Sequence, residues 1–346
     1  MQYGYFDDKN MEYVITRPDT PRPWTNYLGS TKYGAIITNN AGGFSFYKSA
    51  KDGRFTRFRA NNIPMDQPGR YFYIKDQQSK DFWSSSWQPV SKDVKDYKTT
   101  CRHGTAYTII ESEYSNIYTE STYFVPLDKD YECWILKLEN KDTTTRNLSV
   151  FTYVEFANHW NLEADMINLQ YSQYIVNTKF IDNILDIGIQ DNIPFNDETP
   201  DKNSSWHCFV SLIGADIAGY DTDREKVIGV YNGYHNPRLL MNGKCMNTTS
   251  HGDNACGTLQ TDVILKPGES KEFLVVMGIG RAQKAGKKVV HSLKNVAAAR
   301  SELDTLIKHW HSMIGNFTAE TPDKYFNSTI NVWGAYNCLI TYAWSR

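Results

Sequence analysis

Apolar and polar residues alternate in short runs along most of the chain. From Met1 to about Gly280, Tyr, Phe, Val, Ile and Thr gather between turn-forming clusters, the pattern of strands in antiparallel sheets. Phe44-Ser45-Phe46-Tyr47 follows Asn39-Asn40-Ala41-Gly42-Gly43, and Tyr71-Phe72-Tyr73-Ile74 follows Pro68-Gly69. Tyr118 to Val125, Cys133 to Leu138 and Leu148 to Glu155 continue it. Val263-Ile264-Leu265 and Phe273-Leu274-Val275-Val276 flank Lys266-Pro267-Gly268-Glu269. Pro at the second and Gly at the third turn position predict a type II turn there, because Gly accepts the positive φ that the turn requires. Parallel strands need crossover helices, and almost none separate these runs. The pattern therefore predicts two packed antiparallel sheets in an unusually large β-sandwich.

The period then changes. From Ala282 to Ile314 the chain is rich in Ala, Lys, Leu and Glu, and Leu303, Leu306, Ile307, Trp310, Met313 and Ile314 fall on one helical face. A second helix is expected after Thr321-Pro322-Asp323, with Pro in its first turn. Its apolar residues, from Ile330 and Trp333 to Tyr342 and Trp344, cover most of its circumference, as in a buried helix. The expectation is an N-terminal part of a larger protein, ending shortly after a helical domain begins. The alternative is a sandwich sealed by its own final helix.

Composition narrows the partners. Thirty-seven basic against 39 acidic residues give a net charge of −2, which argues against nucleic acid or an anionic membrane as partner. No apolar run reaches the ~20 residues needed to span a bilayer. The start, Met1 to Lys9, lacks the basic end and apolar stretch of a secretory signal. Six scattered cysteines without a CxxC pair read as reduced thiols, and the expected location is cytoplasmic. Cys245 and Cys256 could be bridged, which spacing alone does not show.

No autonomous catalytic motif is present: no GxSxG elbow, no Walker loop, no HExxH, no dinucleotide fingerprint. His309 and His311 diverge on a helix, so no metal is expected. His103 and His159 read as hydrogen-bonded sheet residues. Nine Trp, 23 Tyr and 16 Phe exceed what a core alone requires. Trp24-Thr25-Asn26-Tyr27, Asp81 to Gln88 and Asn158-His159-Trp160-Asn161 mix rings with amides and hydroxyls, a vocabulary suited to sugars. Sugar chemistry would also need a carboxylic acid to protonate the leaving oxygen. Nothing local marks Glu155 or Asp165 as that acid.

Several segments together resemble the cellobiose phosphorylase family of inverting disaccharide phosphorylases. They are Tyr3-Gly4-Tyr5-Phe6-Asp7-Asp8, Glu12 to Pro21, Pro23 to Gly29, Ala41 to Tyr47, Arg102-His103-Gly104, Phe124-Val125-Pro126 and Val154-Glu155-Phe156. Gly219-Tyr220-Asp221-Thr222-Asp223-Arg224, Asn331-Val332-Trp333 and Trp344-Ser345-Arg346 follow in order. The resemblance implies a mainly β chain: a super-β-sandwich over residues 1–281, a helical linker over 282–318, and over 319–346 the first helix of an α/α six-hairpin barrel. It implies reversible phosphorolysis of a β-linked glucobiose to α-glucose 1-phosphate and glucose. Inorganic phosphate is co-substrate, no cofactor is needed, and the catalytic aspartate lies beyond Arg346, so the stretch alone is expected to be inactive. Arg346 matches the position whose guanidinium holds the phosphate, a fork suited to two of its oxygens. The resemblance also implies a homodimer in which Asn168, Gln170 and Tyr171 border the partner's sugar site. There the sequence departs from the cellobiose-specific pattern, reading Gln170-Tyr171-Ser172 in place of Gln-Arg-Asn. Laminaribiose is then as well supported as cellobiose, with N-acetylated chitobiose behind. The rival reading is a stand-alone β-sandwich that binds carbohydrate without catalysis, and a third is a structural fragment without a ligand.

Overall fold

The structure is a computed structural model that describes residues 2–29, 32–59, 63–158, 160–167, 175–189 and 206–344, apart from the side chains of Ala164, Ile167, Ala343 and Trp344. Eighteen strands among these form three sheets. The largest has ten strands, in spatial order Gly4–Asp7, Glu12–Ile15, Lys98–His103, Tyr107–Tyr114, Ile117–Phe124, Tyr131–Asn140, Ser270–Ile279, His207–Ile213, Ile184–Ile189 and Val176–Ile181. A five-stranded sheet runs Gly219–Asp223, Ala255–Leu265, Arg146–Glu155, Tyr71–Asp76 and Phe82–Ser84. Thr25–Gly29, Tyr33–Thr38 and Gly43–Tyr47 make a three-stranded meander. All ladders between these strands are antiparallel. The chain is mainly β, as its alternation predicts.

The strand Tyr131–Asn140 shows how the layers are built. Successive side chains of a strand point to opposite faces. Trp134, Leu136 and Leu138 point into a core shared with Phe72, Ile74, Leu148 and Val150 of the five-stranded sheet. Tyr131, Cys133 and Ile135 point into a second core shared with Leu274, Val276 and the helical residues Ala299, Leu303 and Leu306. Covered on both faces, the strand carries a nearly continuous apolar run. The large sheet thus has the second sheet on one face and helices on the other.

The turn joining Ala255–Leu265 to Ser270–Ile279 matches its sequence signature. The Glu269 N–H donates to the Lys266 carbonyl at 2.9 Å, and Gly268 has φ +73°. The segment 282–314 departs from a single helix. A π-helical turn, Ala282–Gly286, leads into Lys287–Leu293, and a new helix, Val296–Ile314, starts after a break. Lys294 has φ +41°, and the Asn295 side chain caps the new helix by accepting the Ala298 N–H at 3.0 Å. Leu303, Leu306 and Ile314 are buried as expected, whereas Met313 faces outward.

Asp323 caps Lys324–Ser328, accepting from the N–H groups of Tyr325 and Phe326. A π-helical turn, Thr329–Trp333, continues into Gly334–Trp344. This helix, apolar round most of its circumference, is covered on one side only among the described residues. Val332, Tyr336 and Ile340 are buried toward the sandwich and the long helix, whereas Tyr325, Phe326, Cys338 and Tyr342 are exposed.

Candidate functional site

The strand Arg146–Glu155 delivers Glu155 at its C-terminal end, beside the segment carrying Arg57. The Arg57 N–H donates to the Glu155 carbonyl at 2.8 Å, which aligns the two side chains. Arg57 then spreads its guanidinium across three partners. Nε and Nη2 donate to the two oxygens of Asp165 at 2.9 and 2.7 Å, and Nη1 donates to Glu155 Oε1 and Asn254 Oδ1, both at 3.0 Å. Arg57 is only 4 % exposed and Glu155 1 %. The fork therefore sits in a medium where an unpaired charge would be costly.

Asp165 belongs to the short helix Leu162–Ile167, which leads directly toward residues 168–171. Its Oδ1 also accepts the Asn158 N–H at 2.9 Å, while the Asn158 amide donates to Asn254 Oδ1 at 3.1 Å. Asn158 is thus tied to Arg57 indirectly, through Asp165 and Asn254. On the far side, Glu155 Oε2 accepts from Arg224 Nε at 2.9 Å and from the hydroxyls of Tyr234 and Tyr153 at 2.6 and 3.0 Å. Arg224 opens the helix Arg224–Ile228, which Asp223 caps. Two arginines and two carboxylates form one neutral network, buried except at Arg224, which is half-buried.

Burial alone would raise the Glu155 pKa, but Arg224, then Arg57, then the Tyr234 hydroxyl outweigh it and hold it at about 2. A carboxylate ionised at every working pH cannot protonate a leaving oxygen. Glu155 is an anchor, and so is Asp165, with both oxygens occupied by Arg57. Among the described carboxyls, Asp66 alone is pushed upward, to about 7, by burial, against the lowering effect of the hydroxyl of Thr38, which donates to Oδ2 at 2.6 Å. It is packed against backbone: a Cβ on Gly42 would lie 1.9 Å from Asp66 Oδ1. At 3 % exposure it offers almost no surface to a ligand.

The aromatic clusters pack mainly in or against the main core. Trp83 and Trp160 are buried, the latter against Phe55 at 5.3 Å and Trp206 at 4.6 Å. Trp24 packs on Tyr3 and Tyr13, and the Trp87 indole N–H is used by the Lys92 carbonyl at 2.7 Å. His103 lies in the sheet, bonded to Thr108 and the Trp24 carbonyl at 2.9 and 3.1 Å, and burial lowers its pKa to about 4. It is a neutral structural histidine. A cavity of about 330 Å³ opens elsewhere, at the edge of the ten-stranded sheet between Lys179, Asp186, His207, Arg281 and Lys284. Among the described residues no group of three or more His, Cys, Asp or Glu could hold a metal ion.

The candidate binding residues Asn168, Gln170, Tyr171 and Arg346 lie outside the described residues, as does His159. The described helix Leu162–Ile167 ends just before the first three in sequence, and sequence reasoning missed Arg57, Tyr234 and Asn254 in the network around it. The available signal was Arg54-Phe55-Thr56-Arg57-Phe58-Arg59, where charge recurs within an aromatic run. All six cysteines are free thiols, Cys245 and Cys256 among them. No helix among the described residues is long and apolar enough to cross a membrane.

Comparison with known proteins agrees with this architecture. The family described as "Glycosyl hydrolase 94, supersandwich domain" matches residues 11–296, and "Glycosyl hydrolase 94 superfamily, catalytic domain" matches residues 309–346. An N,N'-diacetylchitobiose phosphorylase of Vibrio furnissii is 36% identical over 346 residues, covering 100% of this chain and 42% of that protein. A solabiose phosphorylase of Paenibacillus borealis is 24% identical over 346 residues, covering 98% of this chain and 42% of its own length. The solved structure of a bacterial glucoamylase complexed with acarbose superposes with a TM-score of 0.52 at 11% identity, over 96% of this chain and 44% of that one, a likeness of fold alone. The chain spans about two fifths of the length of these curated relatives. With a family match over most of its length and a sandwich of this form, the chain belongs to the glycosyl hydrolase 94 family.

Proposed function

We propose that this chain is the sandwich-bearing portion of a disaccharide phosphorylase, with residues 1–281 as the sandwich, 282–318 as the linker and 319–346 as the start of the catalytic barrel. The observation that carries the reading is the succession of the two family matches, supersandwich over 11–296 and catalytic domain over 309–346. That succession disfavours a stand-alone binding module, which would need no catalytic segment.

In the proposed reaction, inorganic phosphate attacks the anomeric carbon from the face opposite the leaving sugar. A carboxylic acid protonates the glycosidic oxygen as its bond to that carbon breaks, and the product is an α-sugar 1-phosphate. Phosphate is already an anion, so no second carboxylate is needed to activate it. Arg346 provides the bidentate cationic contact to phosphate. Glu155 is held ionised and Asp66 is enclosed, which supports an acid supplied from outside these residues. Asn168, Gln170 and Tyr171 border the sugar site of the second subunit in a homodimer, and the Arg57–Asp165 clamp holds the turn that presents them. The free thiols support a cytoplasmic location.

The Vibrio furnissii relative acts, by its name, on N,N'-diacetylchitobiose. That moves this β-linked disaccharide from last to first among the candidate substrates, ahead of laminaribiose and cellobiose. The test is to incubate the full-length protein with phosphate and each disaccharide, and to read the anomer of the sugar phosphate by NMR. An α-1-phosphate from one of them is expected. A β-1-phosphate, or no reaction with any β-linked disaccharide, overturns the reading.

A further inference from the structure

Where the chain leaves the ten-stranded sheet for the helical segment, the cavity of about 330 Å³ opens against the sheet edge. The pairing of three strands builds its floor. Lys179 lies opposite Asp186, Asn177 opposite Gly188, and Gly188 opposite His207. Residues directly opposite in antiparallel strands share one face, so all five positions look the same way. The glycine has a reason: a Cβ on Gly188 would lie 2.3 Å from His207 Cε1. The imidazole fills that space, and its Nδ1 bonds Asp186 Oδ1 at 2.6 Å. Gln283 and Lys284 of the turn Ala282–Gly286, with Arg281 before it, complete the lining.

The groups that this lining leaves without partners define a guest. Asp186 is taken by His207. Asn177 Oδ1 accepts from His251 Nδ1 at 3.0 Å, while its amide nitrogen has no acceptor among the described residues. Lys179 and Lys284 are exposed, and neither ammonium group has an ion pair or hydrogen bond among the described residues. The neighbouring Lys287, by contrast, is paired with Asp182 at 2.6 Å. Two unpaired ammonium groups at one concavity suit a ligand of two negative charges, and a phosphate monoester carries about −1.5 to −2 at pH 7. The amides of Asn177 and Gln283 offer directional donors, and Ile181 and Ile189 offer apolar surface. That mixture fits the hydroxyls and CH groups of a sugar, and the volume is at the lower end for small-molecule sites.

We propose that this cavity binds a phosphorylated monosaccharide, with Lys179 and Lys284 on the phosphoryl group and Asn177 and Gln283 on sugar hydroxyls. The site is built entirely from the edge of the sandwich and the start of the helical segment, and it stands whether or not the protein is a phosphorylase. A bound ligand bridges those two parts and stabilises the folded chain by mass action.

The test is calorimetric titration of the full-length protein with glucose 6-phosphate, repeated on the double variant Lys179→Gln/Lys284→Gln. Both lysines are exposed, so the variant should keep the unsubstituted Tm without ligand. The unsubstituted protein should show a site with Kd of about 0.1–1 mM, weakened at least about tenfold in the variant, the worth of one or two charge-assisted hydrogen bonds. Glucose should give no binding that depends on the two lysines. Inorganic phosphate should bind at least about threefold more weakly than the ester. No binding of glucose 6-phosphate, or the same isotherm from both proteins, overturns the proposal. Inorganic phosphate binding as tightly as the ester overturns the assignment of a sugar phosphate.

Discussion

Asp66 and Glu155 are both buried carboxyls, and their surroundings push them in opposite directions. Glu155 has two arginines and two hydroxyls around it and stays ionised. Asp66 has one hydroxyl donor and no cation, so its folded pKa is about 7 against an ordinary 3.8. The unfolded chain therefore releases this proton near pH 4 and the folded one near pH 7. Asp66 lowers stability progressively as pH rises through that window, by up to a few kcal/mol. Asp66→Asn should flatten the corresponding part of the Tm–pH curve between pH 4 and 7; an unchanged slope contradicts this. The Arg57–Asp165 pair makes a second prediction. Asp165→Ala leaves half of a buried guanidinium without its partner and should cost about 3–5 kcal/mol, read as a fall in denaturant midpoint. If the proposed function holds, it should also raise the disaccharide KM of the full-length protein and spare the phosphate KM. A stable variant with an unaltered disaccharide KM would remove Asp165 from its anchoring role.

Among the elements, the long helix Val296–Ile314 covers the outer face of the ten-stranded sheet through Ala299, Leu303 and Leu306. Leu306→Ala opens a cavity between helix and sheet and should cost about 2–5 kcal/mol, whereas Asn295→Ala removes one cap and should cost about 1 kcal/mol. Denaturant titration of both variants checks the ranking, and equal losses would mean that the helix is held mainly by its end. The strands were readable because runs of Tyr, Phe, Val, Ile and Thr between turn clusters mark them locally. The type II turn at Gly268 was readable for the same reason, since Pro and Gly impose φ by themselves. The break before Asn295 was harder: Lys294 takes a positive φ that its side chain does not announce. The ionic platform was not readable at all as a unit. Arg57 meets Asp165 across 108 positions and Asn254 across 197, and no local pattern records such a pairing. The final helix could be read as apolar on all sides, and among the described residues it is covered on one side, with Tyr342 exposed.

For the molecule as a whole, the large sheet is sandwiched between a second sheet and a helical layer, and Tyr336 joins that layer back to the strands near the chain's start. If the sandwich borders a second subunit's sugar site, the full-length protein sediments as a dimer at assay concentration; an active monomer would contradict that part of the account. The resemblance of the linear motifs carried the family, while the substrate stayed open because Gln170-Tyr171-Ser172 departs from the cellobiose-specific pattern. The central claim is that phosphate, and not water, is the nucleophile. The most direct measurement is the initial rate of disaccharide cleavage against phosphate concentration. The account predicts saturation with phosphate and no cleavage at zero phosphate, and an undiminished rate in phosphate-free buffer would contradict it.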